Sequence, residues 1–233
     1  MTDPTRAPAA ETVAGAGTWY YDAFPDLFDR FAGIWDRIND DFSRWVTAHL
    51  ATGARALDLG CGAGRHAVLL ADRYTDVLAV DISDGMLDLA RKNRHRSNVV
   101  YQHRDIRAVT PGVDGRFDAV VSMHTLHHLG RPDEVLPQVR SLVAPGGVAI
   151  LADIVDPGSW PSRQFHLDRA FSVARVVYER TGDPEAAADV LRLLLHPRWL
   201  DMEMAEPPVS REEFHHDYRN AFPGAVFNDD LHP

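Results

Sequence analysis

Leu27, Phe28, Phe31, Ile34, Trp35, Ile38, Phe42, Trp45 and Val46 recur at steps of three and four residues, a pattern that predicts amphipathic helix broken once near Gly33. Past residue 50 the pattern changes. Short, mainly apolar runs at 56–59, 77–81, 99–103, 117–122 and 148–153 alternate with longer segments. That alternation predicts strand, crossover helix, strand: an α/β fold whose mostly parallel sheet is covered by helices on both faces. The turn at Pro145-Gly146-Gly147 supports the fifth strand, because Pro fixes φ at the first central position and Gly tolerates positive φ at the second. After residue 153 the alternation stops. Residues 156–208 read as helices, with one around 165–178 and another opened by Pro184, and a last short strand is expected near 225–228. The predicted division is a flexible tail at 1–18 and a single domain at 19–233. Within that domain lie an N-terminal helical cap at 19–50, a core at 51–155, a helical insertion at 156–208 and a C-terminal segment at 209–233. Insertions of that length commonly serve as lids or substrate walls; helices that only pad the core are the other reading.

Composition narrows the class. The 233 residues are 45% apolar and 25% charged, as in an ordinary globular domain, which excludes disordered, collagen-like and coiled-coil chains. Residues 1–18 contain no apolar run long enough for a signal-peptide core or a membrane span, so a cytoplasmic location is expected. Cys61 is the single cysteine and cannot form an internal disulfide, which suits a reducing compartment. The 34 acids against 24 bases give a net charge of -10, which disfavours both nucleic-acid backbones and anionic membranes as partners. A monomer or a homodimer is expected.

The chemistry concentrates in Leu57-Asp58-Leu59-Gly60-Cys61-Gly62-Ala63-Gly64-Arg65-His66, at the end of the first predicted strand and the start of a helix. Glycines there permit a sharp turn and close approach of a ligand to the backbone. A dinucleotide fingerprint requires a glycine where Arg65 stands, which argues against a nicotinamide-dependent oxidoreductase, and a P-loop requires Gly-Lys-Ser or Gly-Lys-Thr, which is absent. The acid Asp58 beside the loop suits a ligand with an amino group. Asp81, ending the second strand, is placed to accept from ribose hydroxyls, and Asp105, after the third, from an adenine amine, with Ile82, Met86 and Ile106 as apolar neighbours. Each acid alone is equally a solvated loop residue; together, at successive strand ends, they form one constellation.

With these motifs in order, ALDLGCGAG, VLAVDIS, HRDI, FDAVVSMHTLHHL and LVAPGGVAIL, the chain resembles the class I S-adenosylmethionine-dependent methyltransferases of small-molecule type over about residues 20–155. The resemblance implies a Rossmann-like fold, S-adenosyl-L-methionine as cofactor and a small-molecule methyl acceptor. It also implies that Gly60, Cys61, Gly62 and Gly64 receive the methionine part, Asp81 the ribose, and Asp105 and Ile106 the adenine. Met123 joins the cofactor set, and Tyr20 and Tyr21 are candidates to cover the cofactor or face the acceptor. The family's sheet usually ends in an antiparallel hairpin, whereas GAVFNDDLHP has room for one strand at most.

If the acceptor loses a proton, a base is needed, and His124, His127 and His128 follow the fourth strand at steps that a helical turn would bring to one face. His127 and His124 are the catalytic candidates and His128 a substrate contact; a packing role is the alternative for each. No metal is expected, because His166, His196, His215 and His216 lack ligand spacing. Trp160, Phe165, Phe171, Tyr178 and Trp199 can enclose an apolar or aromatic acceptor or belong to the core. The acceptor atom, O, N or C, stays open. The alternatives are a same-fold enzyme that uses the cofactor for cyclisation or elimination, and a non-catalytic nucleoside-binding protein.

Overall fold

The computed structural model describes residues 20–39, 41–158, 160 and 162–229, so the predicted tail at 1–18 lies outside the described residues. Five strands, β1 (Gly53–Leu59), β2 (Tyr74–Asp81), β3 (Val99–His103), β4 (Phe117–Met123) and β5 (Val143–Ala152), pair in the order β3-β2-β1-β4-β5. Every pairing is parallel. Along each strand successive side chains alternate between two cores. Ala56, Val77, Ala79 and Val121 face one layer, which also holds Phe42, Val46 and Leu70. Leu57, Leu59, Val80 and Val120 face the other, which holds Leu136, Val139 and Leu142. Four helices cross over between strands: α3 (Arg65–Ala71), α4 (Asp84–Asn93), α5 (Pro111–Asp114) and α6 (Pro132–Leu142). The Rossmann-like expectation holds.

Two expectations about β5 and the N-terminal helices are corrected. Val143 pairs with Phe117 before the Pro145-Gly146-Gly147 turn, and Val148 pairs with Ala119 after it, so the turn is a bulge inside β5 rather than its start. Gly146 has φ +80°, and a Cβ on Gly147 would stand 2.8 Å from the Asp118 carbonyl oxygen. The first helix, α1 (Pro25–Ile38), runs through Gly33 without a break. Gly33 instead leaves room for Arg65, whose Nη2 would lie 3.0 Å from a Cβ there and donates to the Asp29 carbonyl at 2.6 Å. The interruption comes after Ile38, before α2 (Asp41–His49).

The insertion is helical as predicted: α7 (Arg163–Thr181), α8 (Pro184–Leu194) and α9 (Pro197–Ala205), followed by α10 (Arg211–Ala221). Ser162 and Asp183 cap the first two through their side chains, and Gly182 ends α7 in the left-handed region. Phe24 and Ile34 pack with Ala170, Val177, Leu193 and Trp199, so α1 and the insertion form one helical layer above the strand ends. The expected strand near 225–228 is absent. Phe227 instead packs on Phe214 and His215, holding the segment as irregular chain against α10. No helix is long and apolar enough to cross a membrane among the described residues.

Candidate active site

A cavity of about 420 Å³ opens between the C-terminal strand ends and the helical layer, within the size range of small-molecule sites. Gly60, Cys61 and Gly62 form part of its wall. Gly60, Gly62 and Gly64 have φ of +72°, +49° and +86°, which explains why glycine occupies all three positions. The close approach they permit differs from the expected one: a Cβ on Gly60 would meet the Thr125 side chain at 2.2 Å, and one on Gly64 the Tyr101 hydroxyl at 2.6 Å. The loop is thus pressed onto β3 and onto the segment that follows β4. Cys61 is buried, and burial, with the nearby Asp58 and Asp81, raises its thiol pKa well above the usual value.

Asp81 ends β2 with its carboxylate tied to this loop: Gly62 N–H donates to Oδ2 at 2.7 Å and Ser83 N–H to Oδ1 at 2.9 Å. Burial raises its pKa, opposed by those backbone donors. Asp105 borders the cavity paired with Arg107, whose Nη2 lies 2.6 Å from Oδ2. That hydrogen bond lowers its pKa. Ile82, Met86, Ile106 and Met123 complete the apolar wall on this side, with Tyr20 and Tyr21 contributed by the turn that precedes α1.

Asp58, Gly64 and Phe165 are not among the cavity-lining residues. Phe165 packs on Trp160 and His166 instead, with ring centroids 6.0 Å and 5.3 Å away. Asp58 is 1% exposed and lies behind the loop, with Oδ2 lacking a hydrogen-bond partner. Burial, then repulsion from Asp81, pushes its pKa from 3.8 up to about 7. A carboxyl whose pKa is raised by folding stabilises the fold fully below its unfolded pKa, and that contribution is lost as pH rises through the folded value. Asp58→Asn removes the loss, so the melting temperature of the variant relative to wild type is expected to rise between about pH 4 and about pH 7 and to level off above. A pH-independent difference would remove Asp58 as its source.

Histidines border the opposite end. The helical turn expected to align three of them is a 3₁₀ turn, Leu126–Leu129, that excludes His124. His124 reaches the cavity by another route, a φ of +49° held by its N–H donating to the Ala152 carbonyl at 2.8 Å. Burial lowers its pKa to about 4, so it is neutral at neutral pH. His127 Nδ1–H donates to Asp153 Oδ1 at 2.5 Å, and its backbone N–H to Oδ2 at 3.0 Å. Burial pulls its pKa down, but the Asp153 charge and hydrogen bond outweigh this and raise it. Asp153 is correspondingly held low against its own burial. His128 Nδ1–H donates to Glu206 Oε2 at 2.6 Å, and the Tyr21 hydroxyl lies 3.3 Å from its Nε2. Burial and the neighbouring His127 lower the His128 pKa despite Glu206.

The insertion supplies the roof. Trp160 and Trp199 face the cavity as expected, whereas Phe171 and Tyr178 point into solvent, 60% and 53% exposed. Arg169, Glu203 and Glu206 also border it, and Arg169 Nη1 donates to Glu203 Oε1 at 3.2 Å. These three and Asp153 are absent from the sequence-based set. Asp153 had a signal, its place as the last residue of the fifth apolar run; the insertion residues had none. His166 donates from Nε2 to the Trp160 carbonyl at 2.7 Å. No group of three metal-ligating side chains occurs among the described residues.

A parallel sheet in this strand order, a glycine turn after β1 and an acid ending β2 define the nucleoside-binding α/β enzymes. A family model described as a methyltransferase domain matches residues 56–147. The solved complex of DhpI with S-adenosylhomocysteine is 31% identical, with a TM-score of 0.50, covering 59% of this chain and 67% of that one. The ubiquinone biosynthesis O-methyltransferase of Azotobacter vinelandii is 31% identical over 157 residues, 66% of this chain and 65% of the relative. A chain from the solved complex of the Haloferax volcanii Trm112 methyltransferase activator, 18% identical, shares the fold with a TM-score of 0.60, covering 89% of this chain and 77% of that one. The chain belongs to the class I S-adenosylmethionine-dependent methyltransferases. It spans 41% to 65% of the length of the curated relatives it matches.

Proposed function

We propose that this protein binds S-adenosyl-L-methionine and methylates an oxygen atom of a small molecule, with His127 as the base that takes the acceptor's proton. The observation that carries the reading is that one cavity is bordered at one end by the Asp81-tethered glycine turn and at the other by His127 backed by Asp153. The residues present fit the cofactor. Each Asp81 oxygen accepts one N–H and keeps a lone pair for a ribose hydroxyl. Ile82, Met86 and Ile106 offer an apolar slot for a purine, and the Gly60-Cys61-Gly62 turn borders the cavity where the amino-acid part would lie. When bound, the cofactor supplies a methyl group on a sulfonium whose sulfur leaves neutral.

The chain's own work is positioning and proton transfer. Alignment of two reactants in a closed cavity accounts for roughly 7–11 kcal/mol of barrier in well-oriented reactions. Asp153 accepts the Nδ1 proton of His127, which fixes the tautomer that leaves Nε2 basic. It then stabilises the imidazolium once the acceptor's proton arrives. His124, neutral because of its lowered pKa, adds no positive charge beside a sulfonium. A hydroxyl acceptor gives up its proton as oxygen gains the methyl group, which is the work this base would do, and the name of the relative, an O-methyltransferase, agrees with an oxygen acceptor. The insertion's Trp160 and Trp199, with Tyr21, suit a planar aromatic body.

The test is to incubate the protein with S-adenosyl-L-methionine and a panel of phenols, catechols, amines and hydroxy acids, scoring S-adenosylhomocysteine release and the methylated atom by mass spectrometry. Turnover confined to hydroxyl acceptors is expected. Methylation on nitrogen or carbon alone, or cofactor consumption without a methylated product, would overturn the oxygen assignment.

A further inference from the structure

The outer face of α7 carries a pattern that the cavity does not use. Its inward positions His166, Ala170, Ala174 and Val177 are buried. Gln164, Asp168, Phe171, Arg175 and Tyr178 are all exposed. Their steps alternate between four and three residues, the spacing that keeps one stripe aligned when a helix packs along a second helix. Phe171 and Tyr178 stand one heptad apart on that line with most of their surface in water. The two charged positions between and beside them have opposite sign. Asp168 accepts from Gln164 at 2.8 Å, and Arg175 lies 3.8 Å from Glu179. Both are exposed contacts of the kind that contribute little to stability.

Read in reverse, the stripe complements itself. An antiparallel pair that sets Phe171 against Phe171 brings Asp168 of each copy within one residue's rise of Arg175 of the other, and Gln164 level with Tyr178. A parallel pair would set like charge against like. We infer that the outer face of α7 is a homodimer contact, in which two copies pair this helix antiparallel around Phe171 with reciprocal Asp168–Arg175 ion pairs. The arrangement is a closed two-fold contact, the commonest form of homo-oligomer. The 19 residues of α7 span about 28 Å. A contact of that length lies at the small end of specific interfaces, so association in the micromolar range is expected. Because α7 also brings Arg169 and Val173 to the cavity wall, the contact joins the roofs of two sites back to back.

Sedimentation equilibrium of the full chain over a micromolar to sub-millimolar series is expected to show mass rising from 26.0 kDa to twice that value. Phe171→Glu is expected to stay monomeric with an unchanged circular dichroism spectrum, and Asp168→Arg to weaken association at least about tenfold, in keeping with loss of two symmetry-related ion pairs replaced by like charges. The double variant Asp168→Arg/Arg175→Asp is expected to recover wild-type association. A wild type that remains monomeric throughout the series overturns the proposal. So does a dimer that survives both single substitutions, or a double variant that fails to recover. If Phe171→Glu misfolds, the Asp168 and double variants decide the matter alone.

Discussion

Replacing His127 with alanine is expected to lower kcat by about 10²–10⁴, the range over which a positioned base accelerates reactions. Cofactor affinity is expected to stay near wild type, because Asp81 and the glycine turn keep their own contacts. The pH profile identifies the group more sharply than the rate. His127 has a pKa raised above 6.5 and works as a base only when neutral, so the acid limb of kcat/KM is expected above pH 6.5 in wild type. In Asp153→Asn the charge that raises it is gone, burial dominates, and the limb is expected to move to lower pH while kcat falls. His124 predicts a different result: its pKa of about 4 would put any limb it governs far below neutrality. Turnover unchanged in His127→Ala, or a limb that ignores Asp153→Asn, would remove His127 as the base.

Asp81→Ala is expected to have the opposite signature. Two hydrogen bonds from sugar hydroxyls to a carboxylate are worth about 1.5–3 kcal/mol each, so affinity for S-adenosylhomocysteine by titration calorimetry is expected to fall at least about a hundredfold. The backbone N–H of Gly62 loses its acceptor in the same variant, so the glycine turn loosens together with the sugar site. Asp81→Asn keeps the shape and part of the acceptor capacity and is expected to fall between the two. Retained affinity in Asp81→Ala would place the nucleoside elsewhere and would undo the reading of the cavity.

Much of this architecture could be read from hydrophobic spacing. The 99–103 run matches β3, the 117–122 run covers all but the last residue of β4, and the motifs at Gly60, Asp81 and His127 border one cavity. Where the structure departs from the sequence pattern, one cause recurs: a residue's local conformational preference is not its reason for being there. Gly33 looked like a helix breaker, yet it clears space for Arg65 from a distant element. Pro145-Gly146-Gly147 looked like a strand boundary, yet hydrogen-bonded pairing resumes on the same strand after it. Asp58 looked like a ligand contact because it adjoins the glycines, but strand alternation puts it behind them, 1% exposed. Arg169, Glu203 and Glu206 could not be read at all. They lie on or just after α7 and α9, where nothing in the sequence sets them apart from other polar residues, and packing of this layer on α1 decides which of them look inward.

Asp29 on α1 receives both Arg65 and Arg94, at 2.8 Å and 2.9 Å, and is the shared ionic node between that helix and the elements that follow β1 and β2. Arg65 also pairs with Asp36 one helical stretch further on, at a partly exposed site. Contacts of this kind weaken as the Debye length shrinks, whereas the apolar packing beneath them does not. Raising ionic strength therefore acts first on the outer Arg65–Asp36 pair, whose aspartate is half exposed, while the mostly buried Asp29 node keeps α1 tied to the segments after β1 and β2.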